Sequence, residues 1–461
     1  MDIHRAGDAG RLRGENMAAR TPRDRRDAGA ALRREVPREA HAAWHPSPAR
    51  RDPVAILVEQ DAGRIPELLP VRYGRMRKDP FAFLRGAAAV MAADLAATPT
   101  PGLFVQSCGD CHLANFGAFA SPEGTPVFDV NDFDETLPAP FEWDVKRLAA
   151  SLAVAGRVAG LGDAACRALA RTAARGYRRH ITELAWQPPL DAWTRGVDLA
   201  AAVAAVEPPK LRDRLRRRLR TVLASGADHF GLLEAHGGHG GWRIKEKPPL
   251  VFRLDEHALP ARAAFAAYAE TLPEERRVLL RRYDLQDVAF KVVGVGSIGT
   301  FCAVGLLVSG GGAPLLLQLK QAQASVLAPY AGPSAYANQG ERVVVGQRML
   351  QAASDVFLGW TPEPVAGRQF YVRRLKDPGL ANVGERLEAA LPFYAGLCGL
   401  TLARAHARSG DAAAIAGYLG KSPAFENAIA QFAIAYADQT ERDWRTFLAA
   451  VKAGRLPATG A

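Results

Sequence analysis

Hydrophobic residues recur along this chain with two different periods, which predict two kinds of structure. Around residues 141–159, 164–236, 397–408 and 427–451 they recur every three or four positions, the spacing that places them on one face of a helix. Between the second and third of these regions lie short runs rich in Val, Leu and Phe, at 288–293, 301–307, 315–320 and 370–375. Glycines separate several of them, a pattern typical of strands and turns. The pattern predicts an α+β protein with a helix-rich lobe and a smaller antiparallel-sheet lobe.

Two short predicted strands in the first third of the chain each lead into a polar loop. Residues 103–106 precede Cys108-Gly109-Asp110-Cys111-His112-Leu113-Ala114-Asn115, and residues 126–130 precede Asn131-Asp132-Phe133-Asp134-Glu135. If the two strands are neighbours in a sheet, the loops that follow them lie at the same edge of that sheet, and we expect their carboxylates to lie close together.

Charge separates the beginning of the chain from the rest. The 461 residues carry a formal net charge of +11, and many of the arginines lie before residue 50. Because no apolar face accompanies them, residues 1–50 are predicted to be a disordered or weakly helical tail, with at most weak contact to nucleic acid. Residues 51–235 are expected to form the helix-rich lobe with both polar loops, 236–380 the strand-rich nucleotide-binding lobe, and 381–461 helices that pack on the helix-rich lobe.

No long apolar segment follows the basic residues at the start, as it would in a signal peptide. The uncharged stretch 292–317 is long enough to resemble a membrane helix, but repeated glycines and β-branched residues favour strands there. We therefore expect a cytoplasmic protein with no membrane span. The odd number of cysteines, five in all, favours reduced thiols.

The polar loops carry the Asp, Asn and Asp layout that kinase-like phosphotransferases use at the reacting centre. In that layout one Asp accepts the proton of the acceptor hydroxyl, and an Asn five residues later turns back to bind magnesium. An Asp on a second loop completes the oxygen shell of the metal. Asp110, Asn115 and Asp132 fit these roles in order, with His112 and Asp134 as supporting residues. The layout predicts ATP and Mg²⁺ as cofactors.

A glycine-rich segment lies between the first two strands of the predicted sheet. Gly294, Gly296 and Gly299 have the spacing of a loop that covers nucleotide phosphates. A dinucleotide-binding turn would need a helix after the glycines, whereas a strand is predicted here. Lys320, at the end of the third strand, is predicted to pair with phosphate. Glu341 opens a helix predicted over 342–353 and either pairs with Lys320 or simply complements the helix dipole.

Two family resemblances accompany these motifs. Residues 132–149 resemble aminoglycoside and choline kinases, in which a second Asp opens a helix after the metal-binding Asp, and this implies that Asp144 braces the catalytic loop. Over roughly residues 52–454 the chain resembles the bacterial family known as domain of unknown function 2252. The segments that carry this second resemblance are 79–86, 109–117, 131–136, 340–348, 403–411 and 436–440. The family name supplies no reaction, so function is argued from the site.

The order of the motifs differs from that of ordinary kinase-like enzymes, in which the glycine-rich loop and the lysine precede the catalytic loop. Here Asp110 comes first and Lys320 later. A circular permutation would reconcile the orders, because residues 402–407 resemble the helix that leads into a catalytic loop. Asp411 is a rival base, but the residue five positions later is Ala416, which cannot bind metal. The sequence thus favours a circularly permuted, two-lobed protein-kinase-like fold with Asp110 as the base.

Other chemistries remain open. Cys108, Cys111 and His112 match the C-x-x-C-H pattern of covalent haem attachment, which usually requires export. The same three residues supply too few ligands for a zinc site unless distant residues join them.

The main function predicted for the polar loops is transfer of the ATP γ-phosphoryl group to an acceptor, and a small molecule is one candidate for that acceptor. Two other functions use the same loops. Asp110, His112, Asp129, Asp132 and Asp134 would form the centre of a divalent-metal-dependent hydrolase. A non-catalytic nucleotide-binding scaffold would keep the loops for structure alone.

Overall fold

The computed structural model describes residues 20–207, 209–224, 231–236, 241–253, 255–292, 294–375 and 390–459. Its strands are β1 (Phe104–Ser107), β2 (Phe116–Ala120), β3 (Pro126–Val130), β4 (Leu137–Pro140), β5 (Leu233–His236), β6 (Gly241–Ile244), β7 (Val251–Phe252), β8 (Tyr283–Lys291), β9 (Cys302–Ser309), β10 (Pro314–Ala322), β11 (Gly359–Trp360) and β12 (Gln369–Arg374).

Its helices, in chain order, are α1 (Pro22–Ala31), α2 (Pro53–Glu59), α3 (Leu69–Met76), α4 (Pro80–Gly86), α5 (Ala88–Ala96), α6 (Phe141–Val158), α7 (Asp163–Leu184), α8 (Pro189–Thr194), α9 (Leu199–Ala204), α10 (Pro209–Ala224), α11 (Asp255–Ala267), α12 (Glu274–Leu280), α13 (Ala328–Ala331), α14 (Gln339–Leu350), α15 (Leu391–Ala407), α16 (Ala412–Leu419) and α17 (Ala424–Lys452). The chain is thus a mixed α+β protein, as its hydrophobic periods predict.

The largest sheet has six antiparallel strands in the order β11-β12-β10-β9-β8-β7. The glycine-rich segment connects β8 to β9, and α14 lies in the chain between β10 and β11 and packs on the sheet. Lys320 on β10 is aligned with Cys302 on β9 and with Tyr371 on β12, so it stands in a central row of the sheet. β10 extends beyond both of its predicted ends, and β8 begins before its predicted start, because paired neighbours continue the ladder there.

Long helices form the other main body of the protein, and α7 and α15 approach each other closely within it. A Cβ atom added at Gly399 of α15 would lie 2.0 Å from the carbonyl oxygen of Ala173 of α7. A Cβ atom at Gly176 of α7 would lie 2.7 Å from the carbonyl oxygen of Gly396. The absence of side chains at these glycines therefore allows the helix backbones to touch.

From residue 20, the start of the chain packs more closely than the disordered or weakly helical tail that the sequence predicts over residues 1–50. From residue 20 onward it is ordered, and α1 begins with a capping box in which Thr21 and Asp24 bind each other's backbone N–H groups. A Cβ atom at Gly29 would lie 1.9 Å from the carbonyl oxygen of Ala414, so α1 packs tightly on α16. The expectation fails because small residues, rather than an apolar stripe, make this contact. Residues 1–19 lie outside the described part.

The remaining strands form two-stranded antiparallel pairs: β1 with β4, β2 with β3, and β5 with β6. The β5–β6 pair crosses the predicted boundary at residues 235 and 236, and the N–H of Ile244 donates to Asp287 of the large sheet at 2.9 Å. This pair remains a separate two-stranded sheet and contacts the large sheet through Asp287. None of the described helices combines the length and the apolar character needed to cross a membrane.

Candidate functional site

Asp144, at the start of α6, holds the loop that carries Asp110 through hydrogen bonds to its backbone. One carboxylate oxygen of Asp144 accepts the N–H of Cys108 at 2.8 Å, and the other accepts the N–H of Gly109 at 3.1 Å. Gly109 adopts a φ of 79°, and a Cβ atom there would lie 2.3 Å from the carbonyl oxygen of Glu135. Only glycine fits this turn. Asp144 therefore accepts both N–H groups of the turn that precedes Asp110.

Asp110 has one oxygen bound and one oxygen facing the cleft. The guanidinium of Arg147, which also lies on α6, donates to Oδ1 with its Nε at 2.6 Å. Oδ2 lies 3.7 Å from Nε2 of His112 and 3.9 Å from a Cβ atom built on Gly296. Burial raises the pKa of Asp110, and the positive charge of Arg147 opposes that rise. The Asn115 amide donates to the backbone carbonyl of Asp110 at 2.6 Å and fixes the loop in shape.

His112 is neutral at ordinary pH. Burial lowers its pKa well below the usual value, and the nearby guanidinium groups of Arg85 and Arg147 lower it further. Its Nδ1 atom is buried and has no hydrogen-bond partner. The ring nitrogen near Asp110 is Nε2, and Nδ1 is a second buried polar atom whose hydrogen bond is not made within the described residues.

The second polar loop follows β3 and meets Lys320 of β10. The Lys320 ammonium lies 2.5 Å from Asp134 and 3.7 Å from Asp132, and the Tyr371 hydroxyl donates to the other oxygen of Asp134 at 2.5 Å. Burial alone would lower the pKa of Lys320, but the two carboxylates outweigh it and raise the pKa well above its usual value. Lys320 is therefore a buried, permanently charged partner of this loop.

The sequence prediction named the wrong acid for Lys320. Among the described residues, its ion pairs are with Asp132 and Asp134, and none is with Glu341. Glu341 lies in the first turn of α14, where its N–H donates to the capping side chain of Asn338. First-turn carboxylates complement the helix dipole, and that was the alternative interpretation of this residue.

The next residue of α14 makes the contact to the loop instead. Arg342 is buried and donates to the backbone carbonyl oxygens of Asp134 and Thr136 at 2.8 and 2.6 Å. It also donates to the carbonyl oxygen of Gln323 just beyond β10 at 2.8 Å. Arg342 therefore ties the second polar loop to the end of β10. Which of the neighbouring residues Glu341 and Arg342 faces the loop depends on the rotation of α14 about its axis, and the sequence does not reveal that rotation.

The glycine-rich segment folds over both polar loops. The hydroxyl of Ser297 lies 3.1 Å from Asp134, and a Cβ atom at Gly296 would lie 3.2 Å from the carbonyl oxygen of Arg85. Gly294 and Gly299 have φ angles of 60° and 93°, so they supply turns that other residues would strain. The segment, Asp110 and Asp132 thus border one cleft, and Lys320 is bound to the loop that carries Asp132, although these groups are far apart in the sequence.

The segment is also held from its outer side by the helical region before α4. The N–H of Ile65 donates to the carbonyl oxygen of Gly299 at 2.7 Å, and Arg75 donates to that of Gly294 at 3.1 Å. Arg64 donates to the carbonyl oxygen of Ile298. These contacts join the sheet to the helical body on the outer side of the cleft.

The cleft has a volume of about 80 Å³. Its charged lining consists of Asp110, Asp132, Asp134, Glu135, Arg64 and Arg85. The Nε atoms of Arg64 and Arg85 are buried and have no hydrogen-bond partner in the part of the chain that the structure describes. Burial raises the pKa of Glu135 to about 7, although the N–H of Val326 donates to it. Carboxylates and partly unpartnered cations therefore face the same small space, an arrangement suited to a metal and an anion bound together.

Within the described residues, one group of potential metal ligands lies close enough together to share an ion: Cys108, Cys111 and Asp144. Both oxygens of Asp144 already accept backbone N–H groups. Burial raises the pKa of Cys111 to about 11 and that of Cys108 well above its usual value, so the thiols are protonated. An ion bound by this group would therefore have to compete with the two backbone N–H groups for Asp144.

Asp129 lies away from the cleft. It pairs with Arg404 of α15, and both side chains are buried. The hydrolase centre proposed from the sequence would therefore have to work without Asp129.

Sequence reasoning missed Arg147 and Arg85. Asp144 and Arg147 are three residues apart on α6, so they share a face, and this spacing is a signal that was available. Arg85 lies in the segment 79–86, where no pattern distinguishes it from a surface arginine.

The fold and the site define a class of protein: an α+β chain whose sheet and helices enclose a carboxylate-lined cleft beneath a glycine-rich segment. Residues 64–450 match the family model described as an uncharacterized protein conserved in bacteria (DUF2252). That span exceeds half of the 461 residues, and the chain belongs to this family. Comparison with curated proteins and with solved structures finds no match.

Proposed function

We propose that the protein is a kinase-like phosphotransferase that moves the γ-phosphoryl group of ATP, with magnesium, onto an acceptor hydroxyl. One observation carries the proposal: the Asp110 loop, the Asp132 loop and the glycine-rich segment border the same cleft, with Lys320 bound to the second loop. Phosphoryl transfer requires chiefly positioning and charge neutralisation, for which these groups are suited.

The order of elements in the large sheet supports the proposal. The glycine-rich segment joins β8 to β9, the lysine lies on the next strand β10, and the helix α14 follows before the last two strands. Protein kinases use a glycine-rich loop, a lysine on the third strand and then a helix in this sequence. We therefore infer that this sheet serves as the nucleotide-binding lobe.

A contact at the end of α15 supports the inferred circular permutation. The N–H of Gln106 in β1 donates to the hydroxyl of Ser409, just after α15, at 2.9 Å. A Cβ atom at Gly410 would lie 2.5 Å from the side chain of Val105. The helix that ends at Ala407 thus meets the strand that leads to Asp110, although about 300 residues separate them. A direct connection there would restore the ordinary order of motifs.

The donor set of the cleft suits magnesium. Mg²⁺ prefers oxygen ligands and binds through one or two carboxylates together with substrate phosphates, so a complete protein cage is not expected. Asp132 and the side-chain oxygen of Asn115 would hold it, with Asp134 nearby. When bound, the ion would neutralise charge on the phosphates.

Asp110 would act as the base. Its Oδ1 is held by Arg147, so the side chain has a fixed direction, and its Oδ2 faces the cleft. The acceptor oxygen would form a bond to the γ-phosphorus, and the bond from that phosphorus to the bridging oxygen would break, with its electron pair leaving on ADP. The hydroxyl proton would pass to Oδ2 of Asp110. Burial, which raises the pKa of Asp110, makes it a better proton acceptor.

The volume of the cleft is well below the roughly 300 Å³ of a small ligand pocket. About 80 Å³ accommodates a phosphoryl group but not a whole nucleotide. We therefore expect the glycine-rich segment to move outward when ATP binds, with loss of the contact between Ser297 and Asp134.

One observation favours a second candidate, a divalent-metal-dependent hydrolase. The neutral His112, whose Nδ1 has no partner, could serve as a metal ligand beside Asp110. A non-catalytic nucleotide-binding scaffold is the third possibility, in which the loops bind ATP without turnover.

Isothermal titration of the protein with ATP and Mg²⁺ tests the proposal, alongside Asp132→Asn and Lys320→Met. Arg50→Met is the matched control, because Arg50 also bridges two carboxylates, Asp94 and Asp443, but outside the cleft. We expect magnesium-dependent binding that falls at least about tenfold in the two cleft variants and persists in Arg50→Met.

Single-turnover measurements then separate the three functions. Transfer of ³²P from γ-labelled ATP to a small molecule, sought by thin-layer chromatography across a metabolite mixture, would support the phosphotransferase. Binding without transfer or hydrolysis would favour the scaffold. Absence of ATP binding by the intact protein, together with Mn²⁺-dependent hydrolysis of a phosphate ester, would overturn the proposal in favour of the hydrolase.

A further inference from the structure

A second cavity adjoins the cleft on the side of α3 and α4. Its volume is about 650 Å³, within the range of roughly 300–1,000 Å³ that is typical of pockets for small molecules. Arg85 of α4 and Val295 of the glycine-rich segment line both spaces. A molecule in the larger cavity would therefore border on the cleft where Asp110 lies.

The cavity wall combines an apolar surface with positive charge. Phe81, Val158 and Leu391 contribute apolar area, and Arg75, Lys78 and Arg85 contribute cations. The only acid in the lining is Asp79, and its carboxylate is engaged in capping α4, where it accepts the N–H of Ala82 at 2.7 Å. The lining therefore attracts an anion with an apolar body.

Within the described residues, none of Arg75, Lys78 and Arg85 forms a salt bridge, although the positive charge of Arg85 acts on the nearby Asp110. The Nε of Arg85 is buried without a hydrogen-bond partner, and its guanidinium lies 5.9 Å from the centre of the Phe81 ring. A guanidinium with this environment is suited to a carboxylate or phosphate whose apolar part packs on the aromatic ring.

Gly296, which follows Val295 and lines the cleft, lies close to both Arg85 and Asp110. A Cβ atom there would be 3.2 Å from the carbonyl oxygen of Arg85 and 3.9 Å from Oδ2 of Asp110. The base and the cationic wall are therefore neighbours on the same side of the glycine-rich segment. An acceptor anchored at Arg85 would have its hydroxyl within reach of Asp110.

We propose that the cavity lined by Arg75, Lys78 and Arg85 binds the acceptor, a small amphipathic anion whose carboxylate or phosphate lies on these cations and whose apolar body lies on Phe81, Val158 and Leu391. The acceptor role rests on the proposed phosphotransferase function. The preference for an apolar anion rests on the cavity alone.

Ligand-observed NMR with a matched pair of probes tests this without ATP or magnesium. 4-(Hydroxymethyl)benzoate carries the anion, and 4-(hydroxymethyl)benzamide is its neutral counterpart. We expect saturation transfer to the benzoate, with an affinity at least about tenfold above that of the benzamide, because the carboxylate accepts charge-assisted hydrogen bonds from the cations and the neutral amide does not.

Two variants locate the binding. Arg85→Met should reduce benzoate affinity about tenfold and leave the benzamide signal unchanged, and Lys78→Met, at an exposed position, should reduce it less. Arg77→Met is the control, because Arg77 neighbours Lys78 but is not part of the cavity wall. Equal binding of benzoate and benzamide, or equal benzoate binding by Lys78→Met, Arg85→Met and Arg77→Met, would overturn the proposal.

The outcome separates the cavity from the catalytic function. If ATP binding fails while the benzoate preference depends on Arg85 and Lys78, the cavity stands as an anion site and the phosphotransferase function falls. If ATP binds and transfer occurs but the probes show no charge preference, the acceptor is neutral and the inference about this cavity is wrong.

Discussion

Replacement of Asp144 by asparagine tests the brace beneath the Asp110 loop. The two oxygens of Asp144 accept two different backbone N–H groups, those of Cys108 and Gly109, and Nε2 of His406 lies 3.2 Å from one of them. Asparagine keeps the size of the side chain but has one acceptor oxygen, so one of the two buried N–H groups must face an amide NH₂.

The cost follows from these contacts. An unsatisfied buried N–H costs about 1–3 kcal/mol, and loss of charge at the remaining hydrogen bond costs about 1 kcal/mol more. We therefore expect Asp144→Asn to lower the free energy of unfolding by about 2–4 kcal/mol. Urea denaturation followed by far-ultraviolet circular dichroism measures this change.

Asp443→Asn is the matched control, because Asp443 is also a buried acid but binds Arg50 and Gln439 and does not line the cleft. Both variants should lose stability. Only Asp144→Asn should also weaken ATP binding, by about tenfold or more, since it loosens the loop that carries Asp110. An unfolding free energy of Asp144→Asn within about 0.5 kcal/mol of the wild type would refute the bracing role.

The other predictions concern stability. Burial lowers the pKa of His41 to about 3, so the folded state binds fewer protons than the unfolded state below about pH 6.5, and stability falls as the pH drops through that window. When the pH falls from 7.5 to 5, the free energy of unfolding of His41→Gln, measured by urea titration, should decrease by about 2 kcal/mol less than that of the wild type. Parallel pH profiles of the two proteins would contradict this. In α15, the new Cβ atom of Gly396→Ala would lie 3.6 Å from the side chain of Thr172, an ordinary contact, and the free energy of unfolding should rise by about 0.5–1 kcal/mol. The new Cβ atom of Gly399→Ala would clash with the carbonyl oxygen of Ala173, and the free energy of unfolding should fall by about 1–3 kcal/mol. Equal denaturation midpoints for the two variants would show that α7 and α15 can separate without cost.

Several elements could be predicted because their signals are local. The strand over residues 126–130 and the helix from residue 141 were found from hydrophobic period, and the turn glycines of the segment 294–299 were found from their spacing. The start of the chain was misjudged because its contacts depend on small residues at α1 and α16, and a hydrophobic pattern does not record close backbone approach.

The sequence by itself determined the strand before each polar loop, the helix that follows the second loop and which loops carry carboxylates, because period, glycine position and capping act over a few residues. Only the tertiary structure decided that Lys320 pairs with Asp134, 186 residues away, and that Gln106 meets Ser409. It also decided that Arg342 rather than Glu341 faces the polar loop. Such partners depend on how distant segments cross and on the rotation of each helix, and the packing of the whole chain sets both.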